Sequence, residues 1–198
     1  MKRIILASES PRRQHLLQQI GLEFICSPAY IEEDLSFSAF PHELVQTIAS
    51  RKAKEAAHCW DQGIIIAADT VVASDGCIMG KPRDRGEAAN MLICLSNRCH
   101  QVITGICIMD ARSGRVETAS ESTAVFFREL SPGEINSYLD CGEWQDKAGA
   151  YAIQGRGALL IERIEGCYFN VVGLPLNRLH LMLREFGVDL WGGQRVAL

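Results

Sequence analysis

Long hydrophobic runs are missing from this 198-residue chain. No apolar stretch approaches the roughly 18 residues that a membrane-spanning helix requires, so we expect no membrane partner. After the positively charged start Met1-Lys2-Arg3, only four apolar residues follow, which is too short for the core of a signal peptide. The sequence therefore predicts a cytoplasmic protein.

An excess of positive charge is also absent. The formal net charge is −4 at pH 7 and the isoelectric point is about 5.7. Proteins that bind nucleic acids or anionic membranes broadly carry a basic face or stripe. We therefore expect no nucleic-acid partner, although a locally basic pocket on an acidic protein is compatible with these numbers.

Several common catalytic and metal-binding patterns do not occur. The sequence has no G-x-x-x-x-G-K-[ST], G-x-G-x-x-G or G-x-S-x-G motif, which disfavours a P-loop, a Rossmann fingerprint and a hydrolase nucleophile elbow. None of the five histidines shows zinc-ligand spacing, and the eight cysteines form no C-x-x-C pair. We interpret the cysteines as small buried hydrophobic residues that are kept reduced.

The remaining pattern alternates strands and helices, which predicts an α/β fold. No linker of the kind that separates independent domains is visible, so we expect one domain over residues 1–198, bilobal around a cleft, with a frayed tail at 188–198. The predicted strands cover about 3–8, 22–27, 63–68, 99–109, 116–128 and 158–164, with a hairpin at 71–79. The predicted helices cover about 11–20, 41–60, 84–95 and 132–140, and a last helix ends near 186.

Two arginines stand where a helix should begin. Ser10 reads as the N-cap and Pro11 as the first helical residue, which places Arg12 and Arg13 in the first turn. Cations are unfavourable beside the positive end of a helix dipole, by a few tenths of a kcal/mol or more. A bound phosphate would explain them, but arginines that point to solvent are an equally good interpretation of this segment alone.

An aspartate follows a continuous apolar run. Asp69 comes directly after Ile64-Ile65-Ile66-Ala67-Ala68, which is typical of a strand buried on both faces. A carboxylate at the end of such a strand is costly unless it is paired, binds a metal or acts as a base. Function is therefore favoured over a simple turn cap at this position.

Other polar groups could complete a phosphate site. Lys81 lies in a Gly-Lys-Pro turn that suits a phosphate contact, although such turns are more often only solvated. Lys52 shares a helix face with apolar residues, so it either extends to water or reaches into a cleft over the sheet. Glu33, in the acidic run 32–34, could attract Mg²⁺ or Mn²⁺, or could be solvated.

A glycine-rich segment at residues 146–155 carries mixed polar groups. Small residues let the backbone approach a ligand closely, and Asp146, Lys147 and Gln154 supply charge and hydrogen bonds. The amide of Gln154 is both donor and acceptor, as recognition of a base edge requires. A purely structural glycine-rich loop is the alternative.

Taken in order, five motifs resemble the Maf family of nucleoside-triphosphate pyrophosphatases over residues 4–187. Each motif is weak alone, and the ordered set is highly specific. The motifs are Leu6-Ala7-Ser8-Glu9-Ser10-Pro11-Arg12-Arg13, Ala68-Asp69-Thr70-Val71-Val72, Gly80-Lys81-Pro82, Asp146-Lys147-Ala148-Gly149-Ala150-Tyr151 and Val172-Gly173-Leu174-Pro175.

The resemblance implies a mixed twisted sheet flanked by helices, with two lobes around a central cleft, as in inosine-triphosphate pyrophosphatases. It implies cleavage of a nucleoside triphosphate to monophosphate and pyrophosphate, assisted by Mg²⁺, Mn²⁺ or Co²⁺, by a homodimer. Asp69 matches the general base, and Glu33 with Asp69 would hold the metal. The matching pocket positions are Ser8, Arg12, Arg13, Glu33, Lys52, Lys81, Asp146 and Gln154.

Arg12, Thr70 and Gln154 look like the specificity residues of the family branch that hydrolyses dTTP and UTP. Such an enzyme would clean or control the nucleotide pool. Two alternatives stay open: a pyrophosphatase for another or modified nucleotide, such as CTP or 7-methyl-GTP, and a non-catalytic nucleotide-binding regulator of septum formation.

Overall fold

The computed structural model describes residues 2–31 and 40–191. Its strands are β1 (Ile4–Leu6), β2 (Ile25–Cys26), β3 (Ile64–Ser74), β4 (Cys77–Met79), β5 (Cys99–Asp110), β6 (Val116–Phe127) and β7 (Ile161–Glu165). Its α-helices are α1 (Pro11–Gln19), α2 (Pro41–Ala57), α3 (Arg85–Leu95), α4 (Pro132–Asp140), α5 (Tyr168–Val172) and α6 (Leu176–Glu185). Two 3₁₀ turns cover Ala148–Ala150 and Gly155–Leu160.

The strands form a mixed sheet, which confirms the predicted fold class. Their order along the main path is β2-β1-β3-β5-β6-β7, and β4 pairs with β3. Strand β1 is parallel to β2 and β3, whereas β3–β4 and β6–β7 are antiparallel. The predicted hairpin is confirmed, since Ser74 pairs with Cys77 across the turn at Asp75 and Gly76.

The chain divides into two compact units, in agreement with the two lobes that the resemblance implies. The first unit comprises Met1–Asp69, Thr104–Glu121 and Gly173–Leu198, and the second comprises Thr70–Ile103 and Ser122–Val172. The central cleft, the assignment of a single domain and the frayed tail stay predictions. Residues 192–198 of that tail lie outside the described residues.

In the first unit, small residues bring α2 close to the sheet. Ala49, Ala53 and Ala56 of the helix share one apolar cluster with side chains of the sheet and with Ala7, which directly follows β1. The sheet residues are Ile5, Ile65, Ala67 and Cys107. A Cβ on Gly105 of β5 would lie 2.4 Å from the carbonyl carbon of Val45 in α2, so only glycine fits there. This close packing fixes the height of α2 above the sheet and therefore the reach of its polar side chains.

The second unit has its own core. Apolar residues of α3 and α4 pack with the first half of β5, with the second half of β6 and with residues of the 146–155 segment, including Leu92, Phe127, Leu139 and Tyr151. Helix α4 begins with a capping box, in which Ser131 and Glu134 bond each other's backbone N–H groups. The glycine-rich segment is therefore part of a packed core as well as a source of polar groups.

Three local predictions were wrong. The segments 63–68 and 71–74 form one continuous strand, because the ladder to β4 extends β3 to Ser74. The strand predicted for 158–164 overlaps a 3₁₀ turn at residues 155–160, which precedes β7. The short helix α5 was not predicted. Five of the eight cysteines are exposed and only Cys107 is buried, so their interpretation as buried hydrophobic residues fails for most of them.

Among the helices of the described ranges, none has the length and apolar character needed to cross a membrane.

Candidate active site

The first turn of α1 has the predicted composition. Pro11 opens the helix, Ser10 is the N-cap residue, and Arg12 and Arg13 follow in the first turn without an acidic residue. The Ser10 side chain makes no capping hydrogen bond, so the helix begins without the usual side-chain acceptor. Both arginines are partly buried, which disfavours the interpretation that they simply extend into solvent.

Arg13 is held in place by two groups of the first unit. Its Nε donates to the carbonyl oxygen of Gly173 at 2.8 Å, and its Nη1 donates to Ser8 Oγ at 3.3 Å. Ser8 is 8% exposed and also accepts from the backbone N–H of Ser10 at 3.3 Å. Two separate sequence motifs, around Ser8 and around Gly173, therefore orient one guanidinium group.

Asp69 lies inside β3 and not at its end. It is 6% exposed, and it shares strand parity with Ile65 and Ala67, whose side chains belong to the cluster under α2. Because side chains alternate faces along a strand, the carboxylate points to the α2 side of the sheet. The β1–β3 register pairs Leu6 with Ile66, which brings the residues after β1 alongside Ala67 to Asp69.

Lys52 of α2 meets this carboxylate. Its Nζ lies 2.7 Å from Asp69 Oδ1, and the two side chains are only 12% and 9% exposed. This settles the alternative left open for Lys52, because the ammonium group turns to the sheet and not to water. A buried carboxylate of this kind is costly without a nearby cation, and the contact with Lys52 holds it in one orientation.

In the second unit, the 146–155 segment has a strained backbone of fixed shape. Asp146 and Ala150 adopt positive φ angles of 57° and 61°, which are rare for residues with a side chain. Gly149 donates its N–H to the carbonyl of Gly80 at 3.1 Å, so this segment is joined to the Gly-Lys-Pro turn. Strain of this kind persists only where the surrounding structure fixes it, and it is common at functional sites.

The side chains of the second unit that were predicted to form the site are exposed to solvent or make local hydrogen bonds. Lys81, Asp146 and Gln154 are exposed, while Lys147 Nζ donates to the carbonyl of Gln145 at 2.8 Å. Thr70, the next residue after Asp69 in β3, is partly buried. The structure thus joins the backbones of the 80–82 turn and the 146–155 segment.

Two residues that support the 146–155 segment and its end were not predicted from the sequence. His100 Nε2 lies 2.7 Å from the hydroxyl of Tyr151, and both rings are buried edge-on against Phe127. Glu143 accepts from the backbone N–H groups of Arg156 and Gly157 at 3.1 and 3.2 Å. The only sequence signals for either role are a histidine at an inward strand position and an acid just before the motif.

Burial of His100 predicts a specific loss of stability in acid. Burial lowers the pKa of His100 from 6.5 to about 4, so its neutral form is favoured in the folded state. Below pH 6.5 the unfolded chain binds a proton that the folded chain does not, and stability falls as the pH drops toward 4. The difference of about 2.5 pKa units corresponds to about 3 kcal/mol at most.

The check is urea unfolding of wild type and His100→Gln at pH 7 and pH 4. Glutamine keeps a polar partner for Tyr151 but does not titrate there, so the variant should lose about 3 kcal/mol less than wild type over this interval. His15→Gln, at an exposed position of α1, serves as the control. Equal acid losses in wild type and His100→Gln would contradict the assignment.

Of the two candidate metal ligands, the structure describes only Asp69. Glu33 lies outside the described residues. Within 2–31 and 40–191, no three His, Cys, Asp or Glu side chains lie close enough together to hold an ion. The Asp69 carboxylate is a hard oxygen donor of the kind that fits Mg²⁺, because this ion commonly binds through one or two carboxylates together with substrate phosphates.

Comparison with known proteins identifies relatives along nearly the whole chain. Three curated relatives are each named dTTP/UTP pyrophosphatase. The one from Carboxydothermus hydrogenoformans is 50% identical over 93% of this chain and 99% of its own length. That from Pelotomaculum thermopropionicum is 48% identical over 96% and 100%, and that from Syntrophomonas wolfei is 46% identical over 93% and 98%.

Among solved structures, a nucleoside-triphosphatase / dITP/XTP pyrophosphatase from Mycobacterium abscessus covers 71% of this chain and 95% of its own chain. Its sequence identity is 16% and its TM-score is 0.42, which is too low to bear on fold or activity. The family comparison is decisive by contrast. Residues 3–186 match the family described as Maf-like protein, and this match contains every motif on which the resemblance was based. The chain belongs to the Maf-like protein family.

Proposed function

We propose that this protein hydrolyses dTTP and UTP to the corresponding nucleoside monophosphate and pyrophosphate. The names of relatives at 46–50% identity over almost the whole chain support this substrate class. The single structural observation that carries the proposal is the buried pair of Lys52 and Asp69 at 2.7 Å. A buried carboxylate that a lysine holds in one orientation is positioned to take a proton at a phosphate site.

In the proposed reaction, the oxygen of a water molecule attacks the α-phosphorus and the bond from that phosphorus to the bridging oxygen breaks. Asp69 takes the proton of the attacking water, and pyrophosphate leaves with the electron pair of the broken bond. Lys52 holds the carboxylate in one orientation through its contact with Oδ1.

Cationic residues would balance the charge that grows on the leaving pyrophosphate. Arg13 is the best positioned of them, because Gly173 and Ser8 bind its Nε and Nη1 and so fix the plane of the guanidinium group. Arg12, Lys81 and Lys147 would add further positive charge, and Asp146 would position the loop that carries Lys147. Preorganised charges of this kind supply most of the catalysis in phosphoryl transfer.

A divalent ion, Mg²⁺, Mn²⁺ or Co²⁺, belongs to this proposal. Asp69 and Glu33 would hold it, and it would supply electrophilic stabilisation of the triphosphate oxygens. Base selection is assigned to Gln154 and Thr70, together with Arg12. The Gln154 amide presents one donor and one acceptor, the combination that a uracil or thymine edge requires.

The homodimer and the cytoplasmic location are also proposals, and they rest on the family resemblance. Light scattering on the purified protein tests the first, and fractionation of cells tests the second. No observation favours the alternative of a non-catalytic regulator of septum formation. Such a regulator would keep the arginines but would have no need for a buried carboxylate such as Asp69.

The test is a rate comparison across dTTP, UTP, CTP, GTP and 7-methyl-GTP, each with Mg²⁺, Mn²⁺ and Co²⁺. We expect dTTP and UTP to give the highest kcat/KM and the reaction to require one of the ions. A preference for CTP or a purine nucleotide would overturn the assigned substrate. Absence of pyrophosphate release from every nucleotide would favour the regulator.

A further inference from the structure

Gln154 lies at the turn of a short loop whose two sides touch. A Cβ on Gly157 would lie 1.9 Å from the carbonyl oxygen of Ala152, so the backbone before and after Gln154 is in direct contact. Gly155 bends the chain with a φ of +67°, directly after Gln154. The Gln154 side chain is exposed at this turn.

Both sides of this loop are attached to α4 or to the turn that follows it. On one side, the N–H of Ala152 donates to the hydroxyl of Tyr138 at 3.2 Å. On the other side, the two oxygens of Glu143 accept separately, Oε1 from Arg156 N at 3.1 Å and Oε2 from Gly157 N at 3.2 Å. A Cβ on Gly155 would meet Glu143 Oε1 at 2.6 Å, so the carboxylate packs directly against the bend.

Glu143 lies in a turn that is held against the end of α4. Helix α4 ends at Asp140, and Gly142 turns the chain with a φ of +74°. The indole N–H of Trp144 donates to the carbonyl of Leu139 at 3.0 Å, which holds this turn against the end of the helix. Hydrogen bonds therefore link the end of α4 to the turn that carries Glu143, and Glu143 to the backbone of the Gln154 loop.

We infer that Glu143 is a positioning residue for base selection, which acts by fixing the backbone on which Gln154 is carried. The inference rests on the proposed function, in which the Gln154 amide contacts the base edge. A carboxylate is needed because two N–H donors must be accepted at once. A glutamine at 143 has a single acceptor oxygen and would set its NH₂ group against one of the donors.

The test compares UTP with CTP, whose bases differ at the edge that an amide would contact. The variants are Glu143→Gln, Gln154→Ala, their double variant and Glu134→Gln. Glu134 is the matched control, because its carboxylate accepts from the backbone N–H of Ser131 at the start of α4, in the same unit. The readouts are the ratio of kcat/KM for UTP over CTP, and hydrogen exchange of residues 152–157.

We expect Glu143→Gln to lower the UTP preference about tenfold, since small misplacements of a contact group have effects of this size or larger. Turnover at saturating UTP should change by less than about threefold, because the residues assigned to the phosphate groups lie outside residues 152–157. The double variant should match Gln154→Ala, as expected when one residue acts through the other. Exchange at 152–157 should rise in Glu143→Gln and stay at the wild-type level in Glu134→Gln.

An active Glu143→Gln enzyme that keeps the wild-type ratio would overturn this inference while leaving the proposed function intact. Unchanged hydrogen exchange at 152–157 would also overturn it, whatever the activity. Wild-type protein that releases no pyrophosphate would overturn the inference and the proposed function together. A Gln154→Ala variant with wild-type selectivity would remove the basis of the inference and leave hydrolysis standing.

Discussion

Asp69→Asn is expected to lower the turnover of dTTP and UTP by about a thousandfold or more, because general-base catalysis contributes about a hundredfold to ten-thousandfold and the proposed metal ligand would be lost with the proposed base. Asparagine has the same shape as aspartate and still accepts a hydrogen bond from Lys52, whose Nζ lies 2.7 Å from Oδ1. The fold should therefore persist. Circular dichroism and steady-state pyrophosphate release together separate loss of chemistry from loss of structure.

The matched control is Asp61→Asn, since Asp61 is exposed in the loop just before β3. It removes the same charge from the same unit and should leave turnover near the wild-type value. Near-normal turnover in Asp69→Asn would contradict the role of Asp69 as the base. Equal losses in both variants would point to net charge and not to a specific carboxylate.

Lys52→Met is expected to destabilise the protein by about 3–5 kcal/mol, the usual consequence of leaving one member of a buried ion pair without its partner. Methionine fills much of the space of the lysine stem but supplies no charge. Asp69, which is only 6% exposed, would lose the positive charge that compensates its burial. Urea unfolding at neutral pH measures the effect.

Two further variants make this prediction specific. Lys54→Met removes a lysine from the exposed side of the same helix and should change stability by less than about 0.5 kcal/mol. The double variant Lys52→Met/Asp69→Asn should recover much of the stability that Lys52→Met loses, because the uncompensated charge is gone. If Lys52→Met were no less stable than Lys54→Met, the buried pair would not have the importance assigned to it here.

The importance of Asp69 could be predicted from the sequence because an acid directly after five apolar residues is conspicuous. Its partner could not be predicted to the same degree. Lys52 is 17 residues away, and its direction depends on how closely α2 lies on the sheet. That distance is set by alanines of α2 and by Gly105 of β5, and their contact is tertiary information.

The 146–155 segment likewise combines features that could be predicted from the sequence with contacts that could not. Its glycines and its polar groups indicate a site, but the residues that fix its shape lie outside it. His100 is 51 residues from Tyr151, and Glu143 is 13 and 14 residues from the N–H groups that it binds. Local patterns cannot reveal such pairs, because neither the histidine nor the glutamate has a local partner that marks its role.

The extent of β3 was underestimated for a related reason. An aspartate directly after the apolar run indicates a strand end by local propensity. In the structure, the pairing of Val72 with Met79 and of Ser74 with Cys77 extends the strand well beyond Asp69. Asp69 is consequently held by strand backbone on both sides, a more rigid position than the edge of a loop.

The most direct test of the central claim is the identity of the products formed from UTP and dTTP. Phosphorus NMR of the purified wild-type protein with Mg²⁺ or Mn²⁺ distinguishes the two possible cleavage sites. The proposed attack at the α-phosphorus predicts pyrophosphate and nucleoside monophosphate in equal amounts, with neither formed by Asp69→Asn at a comparable rate. Nucleoside diphosphate with inorganic phosphate, or no product at all, would contradict it.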